Sequence, residues 1–411
     1  MRKSRVLENT LMLYVMTFVK LVLPLLTLPY LTRVLSKESY AMISYVKSTM
    51  TYMQLIIDFG FILSSVKDIS AAQGDNDAIG KITGNTFFAK LVLSVIAGGV
   101  LSLMCASIEI LRGNLLFVLL SFLSVTVTVF LADFLFRGIE KMHYVTVIYL
   151  ASKGISTALT FVFVRGEGSV LWIPILDIIA NAVAVAISFT VIKRLGIKVR
   201  FSGLLDSLAM MKDSFVYFLS SIATTAFSAL NTLLVGIFMS DDLAAVASFN
   251  VCLSVIFAIQ SLYAPISNGI YPYMIKEKSL RLIHKVLAVF MPIVAVGCVI
   301  CFFAARLALV IVGGEEYAEA YTLFRWMIPI LFFSFPAQIY GWPTLGAIGL
   351  ERATTASTIV AAAIQIFGLV TLILLDSFAL IPLAILRGIT EAILMAIRMY
   401  LVYKNKKRFV S

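Results

Sequence analysis

Charge is what this chain has least of. Asp, Glu, Lys and Arg together make up 13% of its 411 residues, and histidine occurs twice. A soluble domain carries roughly twice that share of charge, so the scarcity excludes an ordinary water-facing surface. Cysteine is sparse too. Cys105, Cys252, Cys298 and Cys301 all lie inside apolar runs. The last two are one helical turn apart, a spacing that suits neither a zinc site nor a useful disulfide, so all four read as packing residues. His143 and His284 fall at expected helix ends beside other basic residues, where solvation at an interface explains them better than metal binding. No glycine-rich phosphate loop, HExxH or nucleophile elbow occurs. The acidic pairs Asp241-Asp242 and Glu315-Glu316 sit at short turns, where carboxylates cap helices. Nothing here points to an enzyme, a metal or a cofactor.

What the chain does have is apolar length. It is 61% hydrophobic with a mean hydropathy of +1.01, and runs of eighteen or more largely apolar residues cover most of it. That pattern predicts an all-α polytopic membrane protein. The runs are continuous rather than alternating, which excludes a β-barrel. Twelve spans are expected, at 9–33, 40–66, 86–108, 115–136, 144–164, 170–192, 213–238, 243–274, 286–312, 319–345, 354–375 and 379–402. The basic start, MRKSRVLENT, leads into a span that contains Lys20 and two prolines and shows no small-residue cleavage site, so it reads as a retained first helix.

The net charge of +11 would suggest nucleic acid in a soluble protein. Here it follows the membrane instead. If the N-terminus is cytoplasmic, the inside segments hold twenty-two Lys and Arg, the outside segments four, and the spans seven. Basic residues concentrate in cytoplasmic loops, so both termini are expected inside. The stretch 68–83 reads as loop or interfacial helix.

The longest polar connection, 193–212, falls mid-chain and divides it into six-helix bundles at 1–195 and 213–411 with a cytoplasmic linker at 196–212. A shift of 204 residues lays SKESYAMISY (36–45) over SDDLAAVASF (240–249), a short internal match consistent with two like-oriented halves.

Seven cations remain inside spans. Lys20 and Lys153 are near mid-span; Lys47, Arg325 and Arg387 lie six to eight residues from an outside end, about 9–12 Å deep at 1.5 Å per residue. A cation at the bilayer centre costs roughly 2.5–3.5 kcal/mol on the forgiving scale, so five uncompensated ones would cost on the order of 15 kcal/mol. They are tolerable only against counter-ions or a wet interior. These five are candidate contacts for an anionic substrate. Arg387 and Glu391 have the spacing of an intrahelical ion pair. Asp58 and Glu391 are candidate ion-coupling carboxylates, Asp58 being alternatively the partner of a base on another helix. Asp177, with Asn181 one turn on, reads as a polar packing contact. Pro24 and Pro29 in the first span, and Pro265 and Pro272 in the eighth, are candidate hinges.

Several segments resemble one family. PYLTRVLSKESYAMISY (29–45), DFGFILSSVKDIS (58–70), DFLFRGIEKMHYVTV (133–147) and YAPISNGIYPYM (263–274) are similar, in order, to segments of the bacterial polysaccharide exporters, specifically the O-antigen or lipid-linked oligosaccharide flippases of the multidrug/oligosaccharidyl-lipid/polysaccharide exporter superfamily. Arg137 stands where that family usually has glutamine. The resemblance implies two six-helix bundles around a central cavity in the bacterial inner membrane. It implies a substrate of undecaprenyl pyrophosphate carrying an oligosaccharide repeat, moved by alternating access coupled to an ion gradient. It also implies a monomer working alongside polysaccharide polymerase and chain-length machinery. The competing readings are a cation-coupled multidrug antiporter of the same superfamily, which the excess of buried bases disfavours, and a membrane glycan polymerase or ligase, which the short outside loops disfavour.

Overall fold

The computed structural model describes residues 15–409 apart from 17, 20, 21, 25, 240 and 241. Among these, every regular element is a helix. Ten helices among the described residues are long and apolar enough to cross a membrane. Side chains such as Val95 (73% exposed), Phe303 (76%) and Leu374 (79%) stand on their outer faces. An apolar belt of that extent demands lipid rather than water. Contacts divide the chain into two units, 1–222 and 223–411.

The first unit holds α1 (Val22–Val34), α2 (Lys37–Asp58), α3 (Phe61–Ala71), α4 (Asn76–Ser107), α5 (Leu115–Val127), α6 (Met142–Phe163) and α7 (Trp172–Arg194). The Ser36 hydroxyl accepts from the Ser39 N–H and so caps α2. The second expected span bends where α2 ends: Phe59 (φ 43°) and Gly60 (φ 80°) both adopt the left-handed region. A Cβ on Gly60 would lie 2.7 Å from Cβ of Tyr217. Only glycine at this position lets the helix that carries Tyr217 and Phe218 approach, and Phe59 stacks on Phe218 at 4.4 Å. Two of the family-like segments meet here. Gly138 sits against Ile69, and its carbonyl accepts from Ser70 (3.1 Å) and Gln73 (2.8 Å). The core beneath gathers Phe87, Phe134, Phe136 and Ile148.

Polarity misled the boundaries at two places. The stretch at 68–83, expected as loop or interfacial helix, is mostly helix. The turn occupies only 72–75, and Asp75 caps α4 by accepting from the N–H groups of Asp77 and Ala78. The mid-chain connection is shorter than its polar length: helix resumes at Leu204 and runs to Phe238 as α8. The connecting residues are pinned rather than free. Gly80 and Gly84 face the carbonyls of Lys198 and Arg200, the Arg200 N–H donates to the Gly80 carbonyl at 3.1 Å, and Asn85 exchanges two hydrogen bonds with Ser202.

The second unit continues with α9 (Leu243–Ser261), α10 (Tyr263–Glu277), α11 (Leu280–Phe303), α12 (Tyr321–Ile339), α13 (Glu351–Leu374) and α14 (Leu380–Lys404). α9 starts at an Asp242 cap that accepts from the Ala245 N–H. The internal repeat therefore matches two capped helix starts, Ser36 and Asp242, displaced by two residues from the sequence register. With α1 and α8 added to the ten apolar helices, each of the twelve expected spans coincides with helix in its described part.

Candidate functional site

The sharpest irregularity lies past α12. That helix contains Pro329 and Pro336 and runs into a π-helical turn, Tyr340–Leu345, with Pro343 inside it and Gly341 at φ −68°, ψ −121°. In a π-helical turn each carbonyl is served by the N–H five residues on, so the missing N–H of Pro343 does not orphan the Ile339 carbonyl, which faces Thr344 at that spacing. The Thr344 hydroxyl adds a donation to the same carbonyl at 2.7 Å. The neighbouring Ala337 carbonyl accepts from Nη1 of Arg398 on α14 at 2.8 Å. Arg398 also donates from Nε to Ser357 (3.0 Å) and from Nη2 to Thr358 (2.9 Å), both on α13. It fits because Gly341 has no side chain: a Cβ there would meet Nη1 at 2.7 Å.

One guanidinium thus joins three helical segments beside a cavity of about 530 Å³ within the second unit. Arg387, Glu391 and Arg398 all line it. Arg387 pairs with Glu391 at 3.0 Å, both side chains almost wholly buried, and the Arg398 charge also reaches Glu391. Two fixed positive charges therefore surround one carboxylate. Next to this triad, Thr390 donates to Gln365 (2.6 Å) and Gln365 to Asn231 (3.1 Å), linking α14, α13 and α8 by buried polar groups.

The first unit carries a second cationic cluster. Lys153 lies in a π-helical turn, Leu150–Gly154, within α6. Such single-turn bulges frequently mark functional positions. Its ammonium is 4.0 Å from Asp177 of α7, whose carboxylate also accepts from Ser156 at 2.6 Å. The charges of Asp177 and Lys153 both reach Lys47 on α2, and both lysines are exposed. Asn181, one turn along, accepts from Ser152 and donates to Ser124 (3.0 Å), so it packs helices together.

The remaining expected residues fall out differently. Lys20 lies outside the described residues. Arg325 is close to neither cluster in bonding terms: it donates to the Phe302 carbonyl at 3.0 Å, in the last turn of α11, and stacks over the rings of Phe302 and Tyr321. Asp58 is bound to Lys90 at 2.7 Å and accepts from Gln54 at 2.8 Å, with Thr128 donating to Gln54 at 3.0 Å. Lys90, at the start of the span expected at 86–108 and therefore one of the twenty-two inside bases, belongs to the middle of α4. Pro24 is exposed on α1 and Pro29 half-buried there, while Pro265 and Pro272 fall within helical backbone of α10.

Arg398 and Lys90 were not singled out in sequence. For Arg398 a signal existed. Arg387, Glu391 and Arg398 are spaced by four and seven residues, which places all three on one helical face. For Lys90 the apolar run was started too late.

Comparison with known proteins agrees with this architecture. The family described as polysaccharide biosynthesis protein matches residues 6–278. The chain belongs to that family. It is 27% identical over 97% of both chains to the Escherichia coli (strain K12) protein named "Putative O-antigen transporter". It is 26% identical to the protein of the same name from Shigella dysenteriae, over 76% of this chain and 78% of that one. Among solved structures, an inward-facing multidrug resistance MATE family transporter of the MOP superfamily superposes with a TM-score of 0.69 at 13% identity, covering 95% of this chain and 96% of that one. A eukaryotic MATE transporter superposes at 0.61 and 13% identity, covering 97% and 94%. The family member described here therefore has the MATE transporter fold.

Proposed function

We propose that this protein is a flippase. It carries an oligosaccharide repeat linked to undecaprenyl pyrophosphate, an O-antigen unit, from the cytoplasmic to the periplasmic leaflet of the bacterial inner membrane by alternating access. At the coarser level it is a multi-pass membrane transporter of the multidrug/oligosaccharidyl-lipid/polysaccharide exporter superfamily. Both termini lie in the cytoplasm on this reading, and polymerase and chain-length machinery receive the product.

The observation that carries the reading is the triad Arg387, Glu391 and Arg398 in the second unit's cavity. Two guanidinium groups around one carboxylate leave positive charge in an apolar helix bundle. Guanidinium forks match phosphate oxygens in geometry and charge. A pyrophosphate entering this cavity exchanges with Glu391 as the partner of Arg387. The pair Lys47 and Lys153 offers the same charge logic in the first unit, with Asp177 between them, and Lys20 joins the proposed substrate contacts.

Asp58 and Glu391 already have basic partners, Lys90 and Arg387. That favours charge balance as their resting role and leaves ion coupling to whichever carboxylate the substrate releases. A drug-exporting antiporter for organic cations is disfavoured by the same excess of arginine.

The test is translocation of lipid-linked oligosaccharide in proteoliposomes, with and without proton and sodium gradients. Transport is expected in the wild type, with strong loss in Lys153→Ala and a milder loss in Lys153→Arg. No translocation under any gradient, together with robust drug efflux, overturns the reading.

A further inference from the structure

We infer that Trp342 and the amides of Gln260 and Gln338 form a carbohydrate platform in the second unit's cavity, adjoining the arginine triad. The inference rests on the flippase reading and assigns the sugar part of the substrate to named residues.

The chain has three tryptophans. Trp342 stands in the π-helical turn after α12, where Tyr340, Gly341, Pro343, Thr344 and Leu345 are all buried. Trp342 alone in that turn is 53% exposed, and it lines the cavity. The turn is held by the Thr344 and Arg398 hydrogen bonds to Ile339 and Ala337. Gly346, one turn on, lets the indole lie against backbone: a Cβ there would sit 2.9 Å from Cε3 of Trp342. The ring is therefore supported on one side by a rigid turn and open to the cavity. A large, stiff aromatic with two side-chain torsions presents contact area at little entropic cost.

Gln260, Gln338 and Ser267 line the same cavity. Each amide offers donors and an acceptor. A sugar ring has an apolar C–H face, which suits the indole, and a rim of hydroxyls that both donate and accept, which suits amides. A purely apolar ligand would leave these amides without partners, which is costly. A simple anion would leave the indole unused. An organic cation would meet the repulsion of Arg387 and Arg398. The juxtaposition of arginine pair, amides and indole fits a molecule that is anionic at one end and saccharide at the other.

The experiment uses the full-length protein in nanodiscs, in a Trp172→Phe, Trp326→Phe background that leaves Trp342 as the reporter. Two probes are titrated: the lipid-linked oligosaccharide pool purified from the strain of origin, and undecaprenyl pyrophosphate without sugar. Trp342 fluorescence is expected to respond to the sugar-bearing lipid and not to the bare one. In an otherwise wild-type chain, Trp342→Ala is expected to weaken binding of the sugar-bearing lipid by about tenfold, equivalent to about 1.4 kcal/mol. It should leave the bare lipid unchanged, and Trp342→Phe should retain most of the affinity. The double variant Arg387→Gln, Glu391→Gln should weaken both lipids. If Trp342→Ala lowers both affinities equally or neither, the platform is wrong while the flippase reading survives. Quenching of Trp342 by ethidium with no response to the sugar-bearing lipid also overturns the platform. A wild type that binds neither lipid overturns both.

Discussion

Asp58 and Lys90 show how unequal the two ends of one ion pair are. The Lys90 side chain is 9% exposed and that of Asp58 38%. Removing Lys90 leaves a carboxylate that keeps Gln54 and reaches solvent. Removing Asp58 leaves an ammonium buried beside the Phe134 ring. Breaking a buried pair costs about 3–5 kcal/mol when the surviving charge is uncompensated, and less when solvent screens it. Asp58→Ala is therefore expected to destabilise by about 3 kcal/mol or more and Lys90→Ala by about 1–2 kcal/mol, read as thermal melting in detergent. Equal losses would mean that solvent reaches Lys90. Sequence read Asp58 as either a coupling carboxylate or a partner for a base on another helix, and the structure pairs it with Lys90. Sequence alone could not supply that base, because pairing between helices depends on rotation about each axis, which a 3.6-residue pattern blurs when both faces are apolar. The partner of Arg325 was hidden for a related reason. The depth of the arginine was legible, but the open carbonyl at Phe302 that claims it is a property of where a neighbouring helix ends.

At the level of elements, the helix α12 and the turn after it carry the largest departure from pattern. Prolines at 24, 29, 265 and 272 are the candidate hinges; a further break, with Gly341 at non-helical dihedrals, lies in the turn Tyr340–Leu345. A proline by itself does not say how the helix around it adjusts; here the turn goes π-helical. Thr344 follows Pro343 directly, and its hydroxyl donates to the Ile339 carbonyl. Thr344→Val removes that hydrogen bond while keeping the shape of the side chain, and is expected to destabilise by about 0.5–1.5 kcal/mol, read as melting temperature in detergent; an unchanged melting temperature would show that the bond adds nothing to the turn. The Gly341–Arg398 contact belongs to the same element: Gly341→Ala forces the guanidinium off the Ala337 carbonyl and should open the joint between α12, α13 and α14.

For the whole molecule, hydropathy made the span count legible because each helix exposes an apolar face to lipid; α11, for instance, has none of its most apolar stretch buried. Polarity was the poorer guide to ends, since glycine-to-backbone docking at Gly80 and Gly84 and carboxylate caps such as Asp75 make polar stretches structured. Orientation rests on charge. With Lys90 returned to the middle of α4, the inside segments hold twenty-one bases against four outside, and each base resists transfer across the membrane. Single cysteines at exposed positions test it in a background with Cys105, Cys252, Cys298 and Cys301 replaced by alanine. Gly168→Cys and Ser377→Cys lie in turns expected outside, Lys198→Cys and Lys407→Cys in segments expected inside, and all four positions are exposed. A membrane-impermeant maleimide should label the first two in spheroplasts and the last two only after permeabilisation. The opposite pattern would invert the molecule. A mixed pattern would mean that one helix, most directly α1 or α8, does not cross, and the even span count on which both termini share a side would fail with it.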